Sequence, residues 1–199
     1  MRRSAPPAGG GVIRTFVALE FDPAVKQAIA EYLQPLEMLA DGISWVKSRN
    51  LHLTLKFLGD TQAAQIPELA VSFGAICSHY DSIRVQITGS GAFPDEKRPR
   101  VLWLGLKTET DALNQLAKEI DRACMHFGFQ PESRSFAPHL TIGRVRNGAV
   151  TAILKAMRDR PFSSLATVFH ECILMKSELQ PAGSIYTPLH KFPLARGGG

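Results

Sequence analysis

The tripeptide His-Leu-Thr occurs twice in this chain, at His52 to Thr54 within LHLTLKFLGD and at His139 to Thr141 within PHLTIGRV. Each copy reads as a β-strand, in which successive side chains point to opposite faces. His52 and Thr54 then share one face while Leu53 and Leu55 take the other, and His139 and Thr141 repeat this against Leu140 and Ile142. The aliphatic face meets helices, which leaves two imidazoles and two hydroxyls on the open one. An imidazole titrates near pH ~6.5, so of two facing histidines one accepts a proton while the other donates one. Threonine hydroxyls and histidine N–H groups also donate to the non-bridging oxygens of a phosphate and stabilise charge that builds there. This set suits metal-free cleavage of a strained phosphodiester. A 2′,3′-cyclic phosphate is such a substrate: one histidine activates water and the other protonates the departing sugar oxygen.

The two copies belong to a longer repeat. The offset that carries His52 onto His139 also carries Phe16-Val17-Ala18-Leu19 onto Trp103-Leu104-Gly105-Leu106, and the strand at Ser82 to Thr88 onto one around Phe169 to Leu174. In each half a β-run precedes a long helix and then the His-Leu-Thr strand, and each copy is too small for a deep core of its own. Packed about a pseudo-twofold axis, two such copies turn their histidines toward one shared cleft.

The elements that hold these residues are legible in outline. Arg14 to Glu20 is a β-rich run. Asp22-Pro23 opens a helix to about Leu39, with Pro35 a source of kinking or shortening. ISWV from Ile43 and LHLTLKFLG from Leu51 are strands whose polar KSRN link suggests a hairpin. A second helix is predicted over about Ala63 to His79, and a strand over Ser82 to Thr88 before the loop GSGAFPDEKRPR. Then come the strand Val101 to Lys107 and a helix stopped by Gly128. A short helix over Val150 to Arg158 and two last strands, Leu165 to Lys176 and Ser184 to Phe192, complete the reading. One bilobal domain is predicted over 13–194, between a disordered tail at 1–12 and a flexible one at 195–199.

Composition narrows the class. With 199 residues, 45% hydrophobic and 21% charged, the chain is of ordinary globular make-up. A net charge of +5 and a pI near 9.3 favour anionic partners, nucleic acid among them. Cys77, Cys124 and Cys172 form no CxxC pair and read as reduced, packed thiols, not nucleophiles. The start, MRRSAPPAGGG, lacks a signal peptide's apolar stretch, so a cytoplasmic location is expected. One His-Leu-Thr alone is an ordinary strand histidine, and two in register within a repeat are not. Zinc is the sharper rival for two imidazoles, but no third or fourth ligand recurs nearby, and no metal or other cofactor is expected. His79, His126, His170 and His190 have no motif around them.

With its paired HxTx motifs, RTFVALEF, SWVKSRNLHLTLKFLGD, GAFP, RPRVLWLGL, FAPHLTIGRV and YTPLHKFPL, the sequence resembles the two-histidine phosphoesterases over about residues 13–194. Within them it looks like the bacterial and archaeal RNA 2′,3′-cyclic phosphodiesterases, formerly described as 2′-5′ RNA ligases. The resemblance implies a bilobal α+β fold, two pseudo-twofold-related lobes in which antiparallel sheets with outer helices flank a central cleft. It implies conversion of RNA 2′,3′-cyclic phosphate ends to 2′-phosphates without a metal, with His139 activating water, His52 protonating the leaving 3′ oxygen, and Thr54 and Thr141 holding phosphate oxygens.

Phe57 falls on Arg144 at the repeat offset, and similar proteins use these positions to stack on a nucleobase. Strict alternation puts both on the face opposite the histidines, so they reach a ligand only where the strand twists, bulges or ends; Gly143 offers such a break. Lys56 has the parity of His52 and Thr54 and is expected to attract the RNA backbone. Arg98, Arg100 and Arg134 extend a basic track. Trp45 and Trp103 read as core, and Ala137 stands where relatives often place a polar residue. Besides the RNA-end hydrolase, the same site could act on 2′-5′-linked oligonucleotides or join RNA ends, or the chain could be a non-catalytic RNA-binding module. RNA is the expected partner, no membrane is involved, and the chain is expected to be a monomer.

Overall fold

The computed structural model describes residues 11–39, 41–147, 150–181 and 183–195. In chain order the elements are β1 (Val12–Glu20), α1 (Pro23–Glu37), β2 (Ile43–Trp45), β3 (His52–Gln62), α2 (Ile66–Cys77), β4 (Ile83–Phe93), β5 (Val101–Lys107), α3 (Ala112–His126), β6 (His139–Val145), α4 (Thr151–Asp159), β7 (Leu165–Phe169), β8 (Glu171–Glu178) and β9 (Ile185–Pro193). The expected tails fall largely outside the described residues, at 1–10 and 196–199. Val12, however, opens β1, and Ala195 is fixed by a hydrogen bond from its N–H to the Tyr80 carbonyl at 2.7 Å.

The strands form two antiparallel sheets, ordered β3-β1-β8-β9 and β2-β6-β5-β4-β7. The two halves of the sequence do not map one to each sheet. β4, from the first half, pairs with β5, while its repeat counterpart β8 pairs with β1. The helices cross over too: α3 packs on β3, and α1 meets α4, which lies against β4. Neither half has a complete sheet or helix layer without the other. One buried core runs through both, joining Val17, Leu19, Leu53 and Leu55 with Leu104, Leu106, Leu140 and Ile142 and with the apolar faces of all four helices. A second, small cluster, Phe16, Ala18, Ile173 and Met175, sits apart from that core on the other face of the first sheet.

Several sequence expectations change. ISW makes no hairpin with β3, because β2 pairs with β6 in the other sheet and KSRN winds into a 3-10 turn over Ser48–Asn50. β4 continues through GAF after a shift in register at Thr88 and Gly89, leaving a shorter loop closed by the Arg100 N–H on the Phe93 carbonyl at 2.7 Å. The run from Leu165 to Lys176 is two strands, since the chain leaves one sheet and enters the other at His170. α1 runs on through Pro35, two residues before its end, so the helix there forgoes the bond that an N–H would donate to the Glu31 carbonyl, and it stops within the same turn.

Candidate active site

β3 and β6 are the strands through which the two sheets approach each other. Along β3, Glu20 of β1 lies opposite His52 and Ala18 opposite Thr54; the next partners are Val17 with Lys56 and Phe16 with Phe57. Leu55 is therefore an extra residue, a β-bulge. Along β6, Gly105 lies opposite His139 and Trp103 opposite Thr141, followed by Leu102 with Gly143 and Val101 with Arg144. Ile142 is the extra residue there, at the matching place in the repeat. Burial repeats the signature: Leu55 and Lys56 are buried in succession, as are Ile142 and Gly143, before an exposed residue in each strand.

Each bulge reverses the alternation after it. Phe57 joins His52 and Thr54 on the open face, and Arg144 joins His139 and Thr141. The condition that parity imposed on these two residues is met in both strands. The same reversal corrects the reading of Lys56. It turns away from His52 to the core side, is 3% exposed, and lies 2.6 Å from Asp121 and 3.2 Å from Glu132. Burial works against its charge, but the two carboxylates outweigh it and hold the ammonium above its ordinary pKa. The ladders also correct the repeat alignment: Glu20 faces His52 whereas Gly105 faces His139, so β1 and β5 match two residues out of step with the offset that relates the histidines.

The two imidazoles are held alike. Nδ1 of His52 lies 2.6 Å from the Asn50 carbonyl oxygen, and Nδ1 of His139 lies 2.8 Å from that of Ala137. A carbonyl only accepts, so Nδ1 carries the proton in each neutral ring and Nε2 carries the lone pair. Nε2 of His52 is 3.0 Å from the Thr54 hydroxyl. The side-chain amide of Asn50 donates to the Ser184 carbonyl at 2.8 Å, tying that turn to the approach to β9.

The surroundings of the two rings differ. His52 touches Phe16 and Tyr186, at centroid separations of 4.9 Å and 5.2 Å, and Phe16 continues to Phe57 at 6.0 Å. Burial lowers the His52 pKa to about 4; the Asn50 carbonyl and Glu20 oppose the shift, and Lys26 and Arg144 add to it. Arg144 comes from the other sheet, so its field on His52 links the two half-sites. His139 has Phe93 edge-on at 4.9 Å, and Phe93 leads to Trp103 at 5.3 Å. Trp103 is not core: it shares the face of Thr141 and lies across Gly91, where a Cβ would come within 2.5 Å of the indole. Trp45 packs at Gly143 on the other side of β6, next to the helices. Arg98, Arg100 and Arg134 are exposed.

Sequence reasoning left Phe16, Phe93, Tyr186 and Asn50 out of the site. Period two counted back from Ala18 along β1 finds Phe16. Phe93 and Tyr186 lie within GAFP and YTPLHKFPL, whose aromatic residues were the available signal. Among the described residues no group of three or more His, Cys, Asp and Glu side chains is gathered, and no helix is long and apolar enough to cross a membrane.

The family model for LigT like phosphoesterases matches twice in tandem, over residues 19–103 and 104–186. The chain belongs to this phosphoesterase family. Relatives include the RNA 2′,3′-cyclic phosphodiesterases of Aquifex aeolicus, 32% identical over 92% of this chain and 98% of that one, and of Thermotoga maritima, 33% identical over 90% and 94%. A Thermus thermophilus protein of known crystal structure shares the fold, with a TM-score of 0.78 at 24% identity over 94% of this chain and all of its own. E. coli LigT complexed with 3′-AMP superposes with a TM-score of 0.76 at 25% identity, covering 93% of this phosphoesterase and 99% of LigT.

Proposed function

We propose that this phosphoesterase hydrolyses RNA 2′,3′-cyclic phosphate ends to 2′-phosphate ends, with His52 and His139 as its acid and base and with no metal. The observation that carries this reading is the matched pair of imidazoles, each with Nδ1 bound to the carbonyl two residues earlier, so that Nε2 is the nitrogen turned to the open face, on the two strands where the sheets meet. The names of the Aquifex and Thermotoga relatives supply the substrate class, and the 3′-AMP complex of E. coli LigT supports a nucleotide partner.

In this reading Nε2 of His139 takes a proton from water as the oxygen attacks phosphorus. The bond from phosphorus to O3′ breaks, and O3′ receives a proton from Nε2 of His52. Thr54 and Thr141 donate to the non-bridging oxygens. His52 is neutral in the free protein, with a pKa of about 4, so this order requires it to gain its proton as the anionic substrate binds. A phosphate monoanion against a half-buried imidazole favours that charge, offsetting Lys26 and Arg144. Phe57 and Arg144 stack on the terminal base, which carries no partner strand. The test is incubation of the purified protein in EDTA with an oligonucleotide ending in a 2′,3′-cyclic phosphate, followed by end-group analysis. A 2′-phosphate product is expected; an intact ring or a 3′-phosphate product overturns the reading.

A further inference from the structure

Lys56 and Phe57 are inverted with respect to hydrophobicity: the lysine is 3% exposed while the neighbouring phenylalanine is 55% exposed. Without the bulge at Leu55, plain alternation would put the lysine in water and the ring inside, the arrangement that burial energies favour. Something must hold the bulge, and Lys56 has the contacts for it. Its three N–H donors meet Asp121 at 2.6 Å, Glu132 at 3.2 Å and the Gln130 carbonyl at 2.7 Å. Asp121 in turn accepts the Glu132 N–H at 3.2 Å. One side of this knot is α3 and the other is the segment that runs on to His139. In the second half the matching residue is Gly143, where a Cβ would come within 2.9 Å of Ile43 and 3.2 Å of Trp45. At that bulge the residue is bare backbone under close packing, and at the first it is a paired charge.

We propose that Lys56 is a positioning residue for base recognition: its ion pairs with Asp121 and Glu132 hold the Leu55 bulge and so keep Phe57 on the open face. This rests on the reading that Phe57 stacks on the substrate's base. The quantity to measure is the ratio of kcat/KM on a nucleoside 2′,3′-cyclic phosphate to that on ribose 2′,3′-cyclic phosphate, which has no base. Lys56→Met lowers this ratio about tenfold, through KM, the size of one lost stacking contact. Lys56→Arg, which keeps the charge, restores most of it, and in a Phe57→Ala background Lys56→Met lowers it no further. Should Lys56→Met not fold, Asp121→Asn is read in the same way and lowers the ratio in the same direction. An unchanged ratio in Lys56→Met, or an equal fall with and without Phe57, overturns the proposal while leaving the stacking reading intact if Phe57→Ala itself lowers the ratio. If Phe57→Ala leaves the ratio unchanged, the stacking reading fails and this proposal falls with it.

Discussion

His52 and His139 hold their rings by the same contact, Nδ1 on the carbonyl two residues earlier, at 2.6 Å to Asn50 and 2.8 Å to Ala137. Two sites in different sheets thus present the same nitrogen, Nε2, in the same tautomer. What distinguishes them is their environment, aromatic and cation-flanked around His52 and edged by one phenylalanine ring at His139.

The buried environment of His52 has a consequence for stability. The folded pKa is about 4, whereas an unfolded chain titrates near ~6.5. Between these values the unfolded state binds more protons, so stability is fully present above the unfolded value and is lost as pH falls toward the folded one. His52→Gln removes this contribution. Thermal melts between pH 7 and pH 4 are expected to show a smaller fall in Tm for the variant; parallel curves contradict the shift.

Arg144 adds to that depression from across the site. In Arg144→Ala the His52 ring protons, followed by NMR, titrate at a higher pH than in the parent protein. An unchanged midpoint would mean that the two half-sites are not electrostatically linked.

Substrate binding should carry a proton with it. In His139→Ala, which the proposed mechanism expects to be inactive, calorimetry near pH 7 in buffers of different ionisation enthalpy should detect uptake of up to one proton as a nucleoside 2′,3′-cyclic phosphate binds, and His52→Gln should abolish it. Absence of uptake removes His52 as the acid in the proposed order.

The backbone opposite His139 is as constrained as the ring. A Cβ on Gly105 would lie 2.8 Å from the Thr88 carbonyl oxygen, a backbone atom with little room to yield. Gly105→Ala is expected to destabilise the fold by about 1–3 kcal/mol, as overpacking does, and to lower turnover by displacing β6. Denaturant melts read the first effect, and unchanged stability contradicts the close approach.

The site was legible where it depends on local pattern. Period two placed His52 with Thr54 and His139 with Thr141, and the repeated tripeptide joined them. It failed at Lys56, because alternation carries no mark of an inserted residue; the pairing register with β1 and the successive burial of Leu55 and Lys56 reveal the bulge. It missed the exchange of β4 and β8 because strand pairing is a long-range relation that neither strand's own pattern encodes. The break at His170 was hidden in the same way, since both strands that it separates are apolar.

The most direct test of the central claim is turnover of an oligonucleotide bearing a 2′,3′-cyclic phosphate, in EDTA, by the parent protein, His52→Ala and His139→Ala. General acid and base groups each contribute about 10²–10⁴ in rate, so both variants should lose at least about a hundredfold in kcat while the parent works without metal. Undiminished turnover in either variant, or loss of the parent's activity in EDTA, contradicts the account.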